Sequence, residues 1–239
     1  MGALLLCPAA ATAQGELSAR RSGCAPSGSE DSNPTLACQG DFSERRLVLS
    51  MVPAADLADV VGWTLVLDFA SDAATLPPWW QVQSGGCRYT VPNQFVAVPP
   101  NGSEGCVDTW SATGSALVQS LVYPRPGGDA RQFRVILGVG VSAPDAFLMT
   151  AGENYLGGIL AIRFVKTTSG ECPGCTAPVC FVFNSAEVHR VPGAPGGDPP
   201  PFVTASPTNG NQATWAGGIG CAAVPARART WGQIKTLYR

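Results

Sequence analysis

The sequence predicts an all-β protein, an antiparallel β-sandwich of the jelly-roll or immunoglobulin-like type that is braced by disulfides and has few short helices. Apolar and polar residues alternate in several stretches with the period of half-buried strands. The chain of 239 residues contains 28 glycines and 21 prolines, so turns interrupt it often. Helical patterns of ten residues or more do not alternate with these stretches, which favours an antiparallel sandwich over βαβ units.

The strongest strand signal follows a cysteine-rich turn at residues 172–175. Beyond this turn, Val179, Phe181 and Phe183 share one face of an extended chain, and Cys180 lies on the other. This pattern predicts a buried strand over residues 179–188. The remaining predictions are strands over 46–51, 62–70, 116–123, 131–141, 155–166 and 213–215, edge pieces within 89–98, a bulge at Gly157-Gly158, and a short helix over 53–60.

The chain divides into five predicted segments. Residues 1–13 form a signal peptide, 14–40 an irregular leader with little burial, 41–190 the sandwich, 191–212 an exposed Pro/Gly-rich loop, and 213–239 the last strand and a tail. The signal peptide is predicted from an apolar stretch before the small-x-small pattern Ala11-Thr-Ala13. Its basic start is missing, which indicates a beginning upstream of Met1. Export to the cell surface or medium follows, without a membrane span.

The nine cysteines become eight once Cys7 leaves with the signal peptide. An even number of cysteines in an exported chain predicts disulfides. Short loops favour four pairs: Cys24 with Cys38, Cys87 with Cys106, Cys172 with Cys175, and Cys180 with Cys221. The alternative for Cys172, Cys175 and Cys180 is a zinc or redox site, because C-x₂-C is also a metal-ligand and redox spacing.

Candidate catalytic residues are few. A net charge of −2 excludes broad nucleic-acid binding, and no cofactor motif is present. His189 is the only histidine, and without a G-x-S-x-G elbow it is interpreted as a solvent-facing residue at a strand end. A carboxylate pair for glycan hydrolysis would come from the acids nearest to predicted strands, namely Asp68, Asp108, Glu153 and Glu187.

Two groups of aromatic and apolar residues are candidates for binding a ligand or partner. Trp79 and Trp80 either stack on sugar rings as exposed aromatics or cover the end of the core. In the tail, Trp231, Ile234 and Tyr238 have the spacing of one face of a short helix. That face needs a partner, either on the same chain or on another subunit or an anchoring machine.

Four segments carry a resemblance to known proteins: the cysteine-rich strand start, Gly-Gly-Cys-Arg at 85–88, Cys-Val-Asp-Thr-Trp at 106–110, and the terminal Thr-Trp-Gly-Gln-Ile-Lys-Thr-Leu-Tyr-Arg at 230–239. Together they resemble a family of exported, cysteine-containing β-rich proteins from environmental bacteria. The resemblance spans residues 38–239 and implies export and a disulfide-braced β fold. It brings no activity with it. The function expected is therefore that of an exported structural or interaction protein of a surface, filament, matrix or adhesion system. It would associate with itself or with a cell-surface partner. The alternative is a carbohydrate-binding module or secreted glycan hydrolase.

Overall fold

A computed structural model describes residues 15–21, 23–24, 35–40, 43–89, 95–98, 105–109, 117–124, 130–167, 170–203, 210–217 and 221. The predicted signal peptide, most of residues 21–34 and the C-terminal residues 222–239 lie outside these ranges. The described residues form twelve strands: β1 Gly15–Arg20, β2 Thr35–Leu36, β3 Glu44–Pro53, β4 Leu57–Ser71, β5 Phe95–Val98, β6 Leu117–Pro124, β7 Gln132–Gly140, β8 Phe147–Met149, β9 Tyr155–Arg163, β10 Val179–Arg190, β11 Phe202–Val203 and β12 Gln212–Trp215. Two short 3-10 turns lie between strands, Pro78–Trp80 after β4 and Ala143–Asp145 after β7.

The strands form two sheets. The small sheet has the order β1-β3-β9-β5, and the large sheet has the order β2-β12-β10-β4-β7-β6, with β8 on β4 and β11 on β10. All pairs are antiparallel except β2 with β12. The predicted all-β, antiparallel sandwich is confirmed.

One core lies between the sheets. Leu47 and Leu49 of β3 pack there with Trp63, Leu65 and Leu67 of β4, and all five side chains are buried. The alternation of apolar and polar residues correctly predicts which face of each strand points to the core, because in an extended chain every second side chain points the same way. Burial of such apolar side chains is the main stabilising contribution to the fold.

Two bulges set which side chains face outward. In β9, Gly158 pairs with Leu49 and Leu156 with Ser50, so Gly157 is the extra residue, at the predicted position. In β10, Phe183 pairs with Leu67 and Ser185 with Val66, so one residue is again inserted. The second bulge moves the inner face of β10 from odd to even positions, and Ala186 and Val188 become the core residues.

Three local predictions were wrong. The leader is not irregular, because β1 pairs with β3 over its whole length and buries Leu17 and Ala19. The expected helix over 53–60 is a bend at 54–55 followed by the start of β4. The Pro/Gly-rich loop also contains β11, which pairs with Ser185 and Ala186. Tertiary pairing overrides the local preference in each case.

All eight cysteines that the structure describes form disulfides, and three of the four predicted pairs were wrong. The bonds are Cys24–Cys106, Cys38–Cys175, Cys87–Cys172 and Cys180–Cys221. Cys180–Cys221 is confirmed. The predictions Cys24–Cys38, Cys87–Cys106 and Cys172–Cys175 failed because loop length was used to choose partners, whereas strand packing brings together cysteines 82 to 137 positions apart.

Candidate functional site

Trp79 and Trp80 lie inside the core. They occupy the 3-10 turn Pro78–Trp80, and neither side chain is exposed. The Trp79 indole stacks against Trp215, and its Nε1 donates a hydrogen bond to the Val165 carbonyl at 3.1 Å. Of the two alternatives predicted for these residues, the second is confirmed and the exposed aromatic platform is not, because the turn directs both rings inward to cover the end of the core. The carbohydrate hypothesis loses its aromatic support here.

Arg88 closes the same aromatic end of the core. Its guanidinium lies 3.7 Å above the Trp79 ring and donates hydrogen bonds to the carbonyls of Trp79 and Arg163. The side chain is fully buried, and no carboxylate among the described residues pairs with it. Burial lowers the pKa of Arg88 to about 9, well below the usual value of an arginine. Sequence reasoning missed this residue, because arginine is rarely buried without an acidic partner.

Asp68 is buried in a polar network on the outer face of the large sheet. Arg134 donates two hydrogen bonds to its carboxylate, Nε to Oδ1 at 2.7 Å and Nη2 to Oδ2 at 2.8 Å. Asn184, the bulge residue of β10, donates a third at 2.6 Å. A carboxylate held by three donors and closed to solvent is a structural anchor, so Asp68 does not serve as a catalytic acid.

The other candidate acids are not assembled into a pair. Glu153 is an exposed turn residue, and Asp108 is half-buried beside the Cys24–Cys106 disulfide. Glu187 is half-buried on the outer face of β10, where it pairs in register with Thr64. Of the acids named from the sequence, Glu187 is the one that lies on β10 itself, on the same strand face as His189.

His189 is part of a connected row of polar side chains on that outer face. Its Nε2 lies 2.9 Å from Thr64 Oγ1, and its Nδ1 lies 3.6 Å from Asp198 Oδ2. The residue opposite His189 in β4 is Gly62, which has no side chain, so the imidazole reaches the diagonal neighbour Thr64. The backbone N–H of Arg190 donates to Asp198 Oδ1 at 2.8 Å and fixes this carboxylate above the strand.

Thr64 and Asp198 were not candidates at the sequence level. Alternation placed Thr64 on the outward face of its strand, but only the register of β4 with β10 shows that His189 reaches it. Asp198 belongs to the Pro/Gly-rich loop, and nothing in its local sequence indicates that the loop folds back over β10. The arrangement combines a hydroxyl, an imidazole and a carboxylate, the order in which a nucleophile, a base and an orienting group stand in hydrolases.

The disulfides contradict the alternative prediction of a zinc or redox site, because none of its three cysteines has a free thiol. Cys172, Cys175 and Cys180 are each bonded to a different distant cysteine. Across the described ranges, no group of three or more His, Cys, Asp or Glu side chains is arranged to hold a metal ion. Trp231, Ile234 and Tyr238, the candidate contact residues of the tail, lie outside the described residues.

Comparison of the chain with family models, with curated proteins and with solved structures found no match. The resemblance to exported bacterial proteins therefore stays a prediction. In the part of the chain that the structure describes, no helix has the length and apolar character needed to span a membrane.

Proposed function

We propose that this chain is an exported, non-catalytic structural or interaction protein that works at the cell surface or in the surrounding matrix. Its contacts would be with copies of itself or with another surface component. The proposal combines the predicted signal peptide with a fold in which every mature cysteine is oxidised.

The distribution of the disulfides carries the proposal. Cys24–Cys106 packs on the outer face of the small sheet against Val48 and Leu156, and Cys180–Cys221 packs on the outer face of the large sheet. The other two bonds fasten the turn at 172–175 to the chain near residues 38 and 87, at the aromatic end of the core. Disulfides form and persist in oxidising compartments, and a fold braced on both faces suits a protein that stays outside the cell.

The tail is the proposed contact segment. Residues 200–239 contain four basic residues and no acid, whereas residues 1–199 contain all 17 acids. A basic segment with Trp231, Ile234 and Tyr238 at helical spacing would dock on an acidic or apolar surface of a partner.

Fractionation of the cells that make the protein tests the proposal. We expect the protein in the surface or medium fraction, cleaved after Ala13, without free thiols, and in a complex larger than one chain on size-exclusion chromatography. A monomer with reduced thiols in the cytosolic fraction would contradict both the location and the role.

Deletion of residues 230–239 tests the role of the tail. The proposal expects an unchanged melting temperature together with loss of surface retention or assembly. A drop of several degrees with unchanged location and assembly would mean that the tail packs on its own sandwich. A matched control exchanges Trp231 and Ile234 for Ala and leaves the four basic residues in place. It therefore separates apolar docking from attraction by charge.

A further inference from the structure

We propose that Thr64 is a reactive hydroxyl that accepts acyl groups from carboxylic esters, with His189 as its general base and Asp198 as the residue that positions the imidazole. This activity goes beyond the proposed non-catalytic role and does not depend on it. It rests on the row of three side chains on the outer face of the large sheet.

The proton positions follow from the chemistry of the three groups. The Asp198 carboxylate only accepts hydrogen bonds, and its Oδ2 lies 3.6 Å from Nδ1, a contact too long for a hydrogen bond that nevertheless favours the tautomer with the proton on Nδ1. The other nitrogen, Nε2, is then a free base that faces Thr64 Oγ1 at 2.9 Å. The threonine hydroxyl therefore donates to the imidazole, which is the arrangement that activates a hydroxyl nucleophile.

An acyl donor has room to approach the hydroxyl. The side chain of His189 is 38% exposed, and Thr64 is half-buried rather than closed off. Thr64 pairs with Gly138 of β7, and a Cβ placed on that glycine would meet no atom of the described side chains and backbone within 4 Å. Among the described residues, the surface next to the hydroxyl is thus open on the side away from His189.

The transfer balances without a cofactor. Thr64 Oγ1 attacks the carbonyl carbon of the ester and forms a new C–O bond, while its proton passes to His189 Nε2. The ester C–O bond breaks, and the leaving alkoxide takes the proton from Nε2 and departs as an alcohol. The product is an acyl-Thr64 ester, and the imidazole returns to its starting state.

The protein contains its own reference hydroxyl. Thr214 of β12 is also a strand threonine, and its Oγ1 contacts Thr35 Oγ1 at 3.2 Å in an exposed pair. That contact is with another hydroxyl, and the single histidine of the chain contacts Thr64, so Thr214 reports the reactivity of a threonine without an imidazole beside it. A comparison of the two residues within one sample needs no variant and cancels differences in folding.

The experiment treats the disulfide-intact protein with p-nitrophenyl acetate and follows acetylation of each peptide by mass spectrometry. General-base catalysis contributes about 10²- to 10⁴-fold, so we expect Thr64 to acetylate at least about tenfold faster than Thr214. The variant Thr64→Ser should keep the reaction, Thr64→Val should abolish it, and His189→Gln should lower the Thr64 rate to that of Thr214. The variant Asp198→Asn should give an intermediate rate.

Three results would overturn the proposal: equal rates at Thr64 and Thr214 in the wild-type protein, a Thr64 rate that His189→Gln leaves unchanged, or a stable acetyl group on His189 instead of Thr64. Near-UV circular dichroism of each variant checks that the sandwich is intact. The wild-type ratio of the two rates decides the matter even if a variant fails to fold.

Discussion

Two buried charges show how single residues are accommodated in this sandwich. Asp68 is held by a bidentate arginine and an amide, whereas among the described residues Arg88 contacts two carbonyl oxygens and the face of an indole. Burying an ion is costly unless partners replace its water, so the two side chains differ in what they contribute. The partners of Asp68 offset the cost of burying its charge, whereas Arg88 is held in the core at a cost that its contacts offset less.

Replacing Asp68 by Ala should lower the free energy of unfolding by about 3 kcal/mol, because it leaves the guanidinium of Arg134 without its partner. Urea unfolding of the non-reduced protein measures the change. The matched control is Glu44→Gln, which removes the 2.8 Å pair with Arg46 at a side chain that is 30% exposed. This control should change stability by less than about 1 kcal/mol, and equal losses in both variants would contradict the assignment of Asp68 as a buried anchor.

Arg88 gives a pH dependence with a definite sign. Its pKa in the folded protein is about 9, well below the usual value of an arginine, so above pH 9 the folded state releases this proton before the unfolded chain does. The unfolded chain then binds more protons than the folded protein, so the free energy of unfolding increases as the pH rises above 9. Urea unfolding at about pH 8 and about pH 10.5 should show this gain in the wild type and not in Arg88→Met.

The control for that experiment is Arg46→Met, which removes an arginine whose side chain is 44% exposed. It should retain the rise of the wild type. If the free energy of unfolding changes with pH in the same way in the wild type, Arg88→Met and Arg46→Met, burial does not lower the pKa of Arg88.

At the level of single elements, alternation in the sequence predicted most strands and their inner faces. Phe133 in β7 and Trp63 in β4 both lie in the core on the expected side. The bulge at Gly157-Gly158 was also predictable, since glycines within a strand mark such positions. The inserted residue of the bulge in β10 is Asn184 and not a glycine, so the local sequence did not indicate a bulge there. For this reason the outward neighbours of His189 could not be read from the sequence.

Gly157, the inserted residue of the bulge in β9, should tolerate an added side chain less well than its neighbour Gly158. A Cβ on Gly157 would lie 3.1 Å from the Leu49 carbonyl oxygen and 3.2 Å from Leu65 Cδ1, whereas one on Gly158 would lie 3.6 Å from Leu65 Cδ1. Gly157→Ala should therefore cost about 1 to 3 kcal/mol by overpacking. Gly158→Ala should stay within about 0.5 kcal/mol of the wild type, and the reverse order in thermal unfolding would contradict the placement of the bulge.

At the level of the whole molecule, the sequence predicted that the cysteines pair but not which pairs form. Eight cysteines allow about 105 connectivities, and the choice depends on how strands far apart in sequence meet. The turn at 172–175 shows the reason. The backbone N–H of Trp79 donates to the Pro173 carbonyl at 3.0 Å, and Cys172 and Cys175 bond to chain segments near residues 87 and 38. The candidate site escaped prediction for the same reason, because Thr64, His189 and Asp198 meet only after the strands pair.

Mass mapping of the non-reduced protein, purified from the cells that make it and digested in acid to prevent exchange, tests the disulfide-braced sandwich most directly. We expect peptides joined through Cys24–Cys106, Cys38–Cys175, Cys87–Cys172 and Cys180–Cys221, with no free thiol among these eight residues. A bond between Cys172 and Cys175, or free thiols that bind zinc, would contradict both the fold described and the exported role proposed from it.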